Sequence, residues 1–152
     1  NRREFERQVS VALQASSKDS GSHVLCFLDL DRFKTVNDTC GHQAGDLLLR
    51  EISSLVKEQV RDSDYVGRLG GDEFGVIVYG NRNIGTDVAL ALRATCTYPF
   101  TLSVGEVKVG VSIGSITTEG PTKSKEELLK RADNAMYEAK RTGVGFVQAP
   151  TA

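Results

Sequence analysis

Phe5, Val9 and Leu13 recur at helical spacing among polar residues, which predicts an amphipathic helix over 2–16. After a turn over 17–22, Val24-Leu25-Cys26-Phe27-Leu28 is an unbroken apolar run of strand length, the pattern of a strand covered on both faces. Asp29-Leu30-Asp31 ends it. A short helix over 32–37 and a break beginning at Gly41 lead into a long helix over 43–60, whose inner face carries Leu48, Ile52, Leu55 and Val56. Gly70-Gly71 then separates 65–69 from the apolar run 74–79, a hairpin signal, because glycine reaches the positive φ that tight turns require. Val88, Ala91, Leu92 and Thr95 predict a helix over 84–96, stopped by Pro99. Segments 100–104 and 106–116 around Gly105 predict a second hairpin, with 109–115 as a central strand. Ser124-Lys125-Glu126-Glu127 is a capping box that opens a helix over 125–141, with Gly143 as its stop and a short strand at 146–147 after it. This order predicts an α+β domain in which helices flank a central, mostly antiparallel sheet.

Composition narrows the class of protein. The 152 residues suffice for one compact domain with its own core and are too few for two. A single domain over 1–148 is expected, with 149–152 reading as the start of an interdomain linker. With 19 basic against 20 acidic side chains and a net charge of -1, neither a nucleic-acid surface nor direct membrane contact is expected. No apolar run has the length of a membrane span, and Asn1-Arg2-Arg3-Glu4 does not open a signal peptide. Cys26, Cys40 and Cys96 are odd in number, widely spaced and without a C-x-x-C pair, which argues against a disulfide framework and a cysteine zinc site. A cytoplasmic location is the expectation.

The candidate chemistry lies in acids at two chain breaks. Asp29 stands at the end of the buried strand, and Asp72-Glu73 stand at the tip of a hairpin able to lie beside it. Taken one at a time, such acids are accounted for by a strand meeting water and by an exposed loop. Taken together, Asp29 and Asp72 are able to hold Mg²⁺, which prefers hard oxygen ligands and binds through one or two carboxylates plus substrate phosphates. That chemistry is nucleotidyl or phosphoryl transfer, with Lys34 and Lys140 available to neutralise phosphate charge.

Gly70-Gly71-Asp72-Glu73-Phe74 also matches the namesake signature of the GGDEF domain family, the diguanylate cyclases. Asn1-Arg2-Arg3-x-Phe5, Phe27-Leu28-Asp29-Leu30-Asp31-Arg32-Phe33-Lys34-x-Val36-Asn37-Asp38 and Gly41-His42-x-x-Gly45-Asp46-x-Leu48-Leu49 resemble the same family. So do Val111-Ser112-Ile113-Gly114 and Ala132-Asp133-x-Ala135-Met136-Tyr137-x-Ala139-Lys140, so the resemblance spans almost the whole chain. It implies a fold similar to the palm domains of nucleotide cyclases and polymerases. The implied reaction joins two GTP into cyclic di-GMP with release of two pyrophosphates, each GTP held by one of two facing domains in a homodimer. It also implies neighbouring sensor or phosphodiesterase domains, and allows the alternative of a weak or inactive GTP-binding module that regulates such a neighbour.

By the same resemblance Asp29, Asp72 and the Leu30 carbonyl bind Mg²⁺ or Mn²⁺, while Glu73 is a further ligand or helps to activate the 3′-hydroxyl. Asn37 and Asp46 match the guanine-reading positions, and the chemistry agrees, since a carboxylate accepts from guanine N1 and N2 while an amide donates to its acceptors. Phe33, Lys34, Gly71 and Lys140 match substrate-binding positions, and Arg68 matches a residue supporting transition-state charge. Arg61-Asp62-Ser63-Asp64 fits the R-x-x-D pattern that binds product as an inhibitor, with Arg93 a second contact; a charged surface turn fits the same residues. One departure stands out. Val144 and Gly145 follow Gly143 where the family has arginine and asparagine, which removes a phosphate contact.

Overall fold

The computed structural model of the chain describes residues 1–19, 21–96, 99–102, 105–119 and 124–151. In chain order the elements are α1 (Arg2–Asp19), β1 (Ser22–Asp31), α2 (Phe33–Cys40), α3 (His42–Gln59), β2 (Tyr65–Gly70), β3 (Glu73–Tyr79), α4 (Arg82–Cys96), β4 (Phe100–Leu102), β5 (Gly105–Val107), β6 (Gly110–Glu119), α5 (Lys125–Thr142) and β7 (Phe146–Gln148). Five strands make one sheet in the order β2-β3-β1-β6-β7. Its pairs are antiparallel except β6 with β7.

The apolar run of β1 is explained by what covers it. Val24, Cys26, Leu28 and Leu30 point into a core shared with Leu48 and Ile52 of α3 and Leu92 of α4. Leu25 and Phe27 point the other way, against Phe5 and Val9 of α1 and Leu128 and Met136 of α5. Successive side chains of a strand alternate faces, so a strand with helices on both sides is apolar throughout. The buried Cys26 and Cys96 thiols are pushed up to about 12 and about 11 by that burial, and all three cysteines are free. No helix among the described residues is long and apolar enough to cross a membrane.

The Ser124 N-cap and the glycine stop of α5 form as predicted. Ser124 Oγ accepts from the Glu127 amide at 3.2 Å, and the Gly143 amide donates to the Ala139 carbonyl at 3.1 Å with φ 76°. Two expectations are corrected. The second hairpin forms, β4 pairing antiparallel with β5, but its later arm is not one strand: the segment predicted as a single arm over 106–116 changes partners at Lys108-Val109 before entering the main sheet. Val107 and Val109 are both buried on either side of exposed Lys108, so the period-2 pattern runs on through the break in the ladder. Ser20, Ser103, Val104 and Ala152, within the predicted turn, strand and linker, lie outside the described residues. The first hairpin turns at Gly71-Asp72 rather than Gly70-Gly71, because the register shifts between Arg68 and Gly70 and Gly70 still pairs with Glu73. At the other end of the chain, Ala149 donates to Ser115 and the Pro150 carbonyl accepts from Arg131, so the backbone stays on the domain through Pro150.

Candidate active site

The one-residue shift of the turn has a chemical result. Glu73 becomes the first residue of β3, directly opposite Asp29 of β1, while Asp72 occupies the corner. The Leu30 amide donates to the Asp72 carbonyl at 3.3 Å, tying the end of β1 to the turn. Arg68 closes the turn from below, its Nε donating to the Gly71 carbonyl at 2.9 Å.

Helix α5 reaches this corner through Gly114 of β6. A Cβ there would overlap the Met136 amide and the Ala132 carbonyl, so the helix lies directly on the strand. Lys140, one turn further along, then extends to the end of β1. Its Nζ is 3.0 Å from Asp29 Oδ2 and 3.5 Å from the Leu30 carbonyl oxygen.

The electrostatics of the corner are those of crowded carboxylates. Burial, then the neighbouring Asp72 carboxylate, push the Asp29 carboxyl up to about 6, with Lys140 acting in the opposite sense. Glu73 is also raised, by burial first and then by Asp133 and Asp29, while Arg2 and Lys140 oppose the shift. Asp29 Oδ1 is buried and accepts no hydrogen bond. Among the described residues no three His, Cys, Asp or Glu side chains form a metal cage by themselves. Two carboxylates, one of them with an unsatisfied buried oxygen, and a backbone carbonyl are nevertheless a hard-oxygen donor set of the kind magnesium takes, since it completes its shell with water and phosphate.

The predicted base-reading residues meet at the junction of α2 and α3. A Cβ on Gly45 would overlap Asn37 Oδ1 and stand 3.3 Å from Phe33 Cζ, so the glycine makes room for both side chains beside Asp46. Asp46 lines a cavity of about 490 Å³ with Leu49, Arg50, Ser53, Ser54 and Arg68. A second, more apolar cavity behind α3 shares Arg50 and Ser54 with it and contains none of the predicted site residues. The chain enters α2 through Arg32, a non-glycine residue at φ 61° whose side chain does not cap the helix. That conformation costs on the order of 1 kcal/mol and leaves the first-turn amides without a side-chain acceptor. Lys34 is exposed on that turn, with no ion-pair partner among the described residues.

The predicted product-binding residues are divided by the fold. Arg61 and Asp64 lie at the far end of the β2-β3 hairpin, where Asp64 accepts from the Arg61 side chain at 3.0 and 3.1 Å and from the Arg61 and Tyr79 amides at 3.0 Å. Burial raises the Asp64 carboxyl, but these donors outweigh it and hold the group below its usual range. Arg93 is elsewhere. Its guanidinium packs on Gly145, next to β7 at the opposite sheet edge from β2, and its Nε is buried without a hydrogen-bond partner. Four inter-strand spacings of about 4.8 Å, roughly 19 Å, separate those edges.

Two residues at the corner were not singled out from sequence. Arg2 of α1 lies 3.5 Å from Glu73 Oε1 and 5.6 Å from the centre of the Phe27 ring. Asp133 acts on Glu73 from α5. The signal for Asp133 was present, since it stands seven residues before Lys140 and two helical turns put both on one face.

Comparison with known proteins agrees with this geometry. The diguanylate cyclase GGDEF domain family model matches residues 1–145. A probable diguanylate cyclase of Escherichia coli, DgcE, is 40% identical over 97% of the chain, which spans 14% of that protein's length. The solved GGDEF domain of TpbB (YfiN) from Pseudomonas aeruginosa superposes with a TM-score of 0.92 at 36% identity, covering 99% of this chain and 96% of that one. The GGDEF domain of DgcB from Caulobacter crescentus, solved in complex with c-di-GMP, gives 0.90 at 26% identity over 97% and 90% of the two chains. With its signature turn, flanking helices and sheet order all accounted for, the chain belongs to the diguanylate cyclase GGDEF domain family.

Proposed function

We propose that this domain condenses two GTP into cyclic di-GMP, working as one half of a pair of facing domains. The observation that carries the reading is the convergence of Asp29, Asp72 and the Leu30 carbonyl at one corner, with Asp29 Oδ1 buried and unsatisfied. Magnesium or manganese held there supplies charge neutralisation on the phosphate oxygens. Asn37 and Asp46 hold the guanine, and the uncapped first-turn amides of α2, with Lys34, receive phosphate oxygens. Glu73, with its raised affinity for a proton, stands beside Asp29 to accept the proton of the attacking 3′-hydroxyl. Each attack on an α-phosphate expels one pyrophosphate, and two attacks close the ring. One domain holds one GTP, so turnover requires two domains.

Incubation with GTP and Mg²⁺ over a series of protein concentrations tests this. Cyclic di-GMP should appear, with a rate per domain that rises with concentration; binding of GTP without product across the series would overturn it. Calorimetry should show GTP preferred over ATP, with Asp46→Ala losing the preference, because a site built to hydrogen-bond guanine leaves polar groups unpaired with adenine. A second reading, a GTP-binding module that regulates a neighbouring domain such as a phosphodiesterase, is favoured by one observation. Val144 is 56% exposed where the family has a phosphate-binding arginine, and a lost charge-assisted hydrogen bond weakens binding by roughly 1.5–3 kcal/mol.

A further inference from the structure

Lys140 touches the Leu30 carbonyl oxygen and the second carboxylate oxygen of Asp29, the two residues at the end of β1 assigned above to a divalent ion. Its ammonium stands 3.0 Å from Asp29 Oδ2 and 3.5 Å from the Leu30 carbonyl oxygen. An ammonium is a compact, strongly hydrated point charge with three donors, able to satisfy a carboxylate and a carbonyl oxygen at once. We infer that Lys140 is a resident cation of the Asp29–Leu30 oxygen pair that excludes a bare divalent ion and yields the pair only when a triphosphate draws the ammonium away. The inference rests on the magnesium reading of these oxygens and adds an order of events to it, with metal and nucleotide arriving together.

Three features support the exchange. The Lys140 side chain is 40% exposed against 18% for Asp29, so the lysine is the partner with room to move and the carboxylate is the one held in place. Its placement is set by the backbone rather than by the ion pair, because the contact of α5 with Gly114 fixes where the helix crosses the sheet. The charge balance points the same way. Asp29 is opposed by Asp72 and Glu73 by Asp29 and Asp133, so the corner carries more carboxylate charge than Arg2 and Lys140 offset, and removing the ammonium with nothing in its place exposes that repulsion. A divalent ion arriving alone must displace a like charge that has no anion to move to, whereas a triphosphate on α2 and Lys34 offers Lys140 new oxygens within reach of the same corner. Lys140 thereby makes the site selective for the metal–nucleotide complex.

The test uses Mn²⁺ as probe, with binding read by water-proton relaxation in the absence of any nucleotide. The unaltered domain should bind Mn²⁺ weakly, and Lys140→Met should bind it about tenfold or more tightly, the scale on which a neighbouring charge alters a carboxylate's affinity for a cation. Lys140→Arg, which keeps the charge, should stay weak. Adding Asp29→Asn to Lys140→Met should abolish the gain. Circular dichroism checks the fold of each variant, and Lys140→Gln serves in place of Lys140→Met if the latter does not fold. Equal Mn²⁺ affinity in the unaltered and Lys140→Met domains overturns the inference, as does a gain that survives Asp29→Asn. Failure of the cyclase reading is separate: a domain that behaves as expected with Mn²⁺ yet makes no cyclic di-GMP keeps Lys140 in this role and loses the proposed reaction.

Discussion

The two ends of the β2-β3 hairpin carry the same residue types, arginine and aspartate beside a turn, and treat them oppositely. At the Arg61 end, the Asp64 side chain is buried, its carboxylate accepts four hydrogen bonds, and its pKa is held low. At the Gly71-Asp72 end, Asp29 keeps a buried oxygen without a donor and its pKa is pushed up to about 6. A carboxylate used to hold a fold is surrounded by donors that satisfy it. Asp29 instead faces the carboxylates of Asp72 and Glu73, with Lys140 on one oxygen only, and its Oδ1 is left without a donor. The difference lies in neighbours supplied from elsewhere in the chain, Tyr79 at one end and Asp72, Glu73 and Lys140 at the other.

The comparison breaks if substitutions at the two ends have similar effects. The largest difference is expected for Asp72→Asn, which should lower cyclic di-GMP formation by more than about a hundredfold, since even residues that only support metal ligands cost up to that much. Its urea midpoint should match that of the unaltered domain; a matched loss of stability would mean that Asp72 serves the fold. Asp64→Ala should do the reverse. It strands the Arg61 and Tyr79 donors and should cost about 2 kcal/mol in denaturant unfolding, with turnover per folded domain unchanged.

Asp29→Asn sharpens the contrast through pH. An acid whose folded pKa is raised keeps its proton in the native state while the unfolded chain has released it. From the ordinary value of 3.8 up to about 6, the unaltered domain therefore loses stability as pH rises. The asparagine variant lacks that slope. It should match the unaltered domain near pH 4 and exceed it at pH 7 by on the order of 1 kcal/mol, the loss of the Lys140 contact taking back part of the gain. Thermal melts across that range decide it, and a stability difference that does not change with pH would contradict the raised pKa.

The smallest effect concerns Arg61→Ala. About half of the Arg61 side chain remains exposed while its guanidinium serves Asp64 and the Tyr79 carbonyl. If the exposed part of the side chain binds product, the variant should lose inhibition by cyclic di-GMP with little change in uninhibited rate. Unchanged binding of labelled cyclic di-GMP would leave Arg61 as a member of the structural knot alone.

Much of this was legible in the chain. The buried strand, the α5 capping box, the hairpin and the separate acids at two breaks follow from periodicity and turn chemistry, because those are set by neighbours a few residues away. Asn37 and Asp46 were singled out only through the family resemblance, and the structure brings them to one helix junction. The exact turn was not, because the shift at Leu69 depends on how β2 registers against β3. The 106–116 segment reads as one strand because Val107 and Val109 keep the alternation of a strand through the point where the ladder changes partners. Nor does sequence tell that Arg93 ends on Gly145 and Asp64 under Tyr79, or that Lys140 leans on the Leu30 carbonyl. By itself the sequence determined the elements and the chemical types available to the site. Only the tertiary structure decided which acids are saturated and which are left open, because pairing between residues 15 to 111 positions apart depends on sheet order and on where α5 crosses β6.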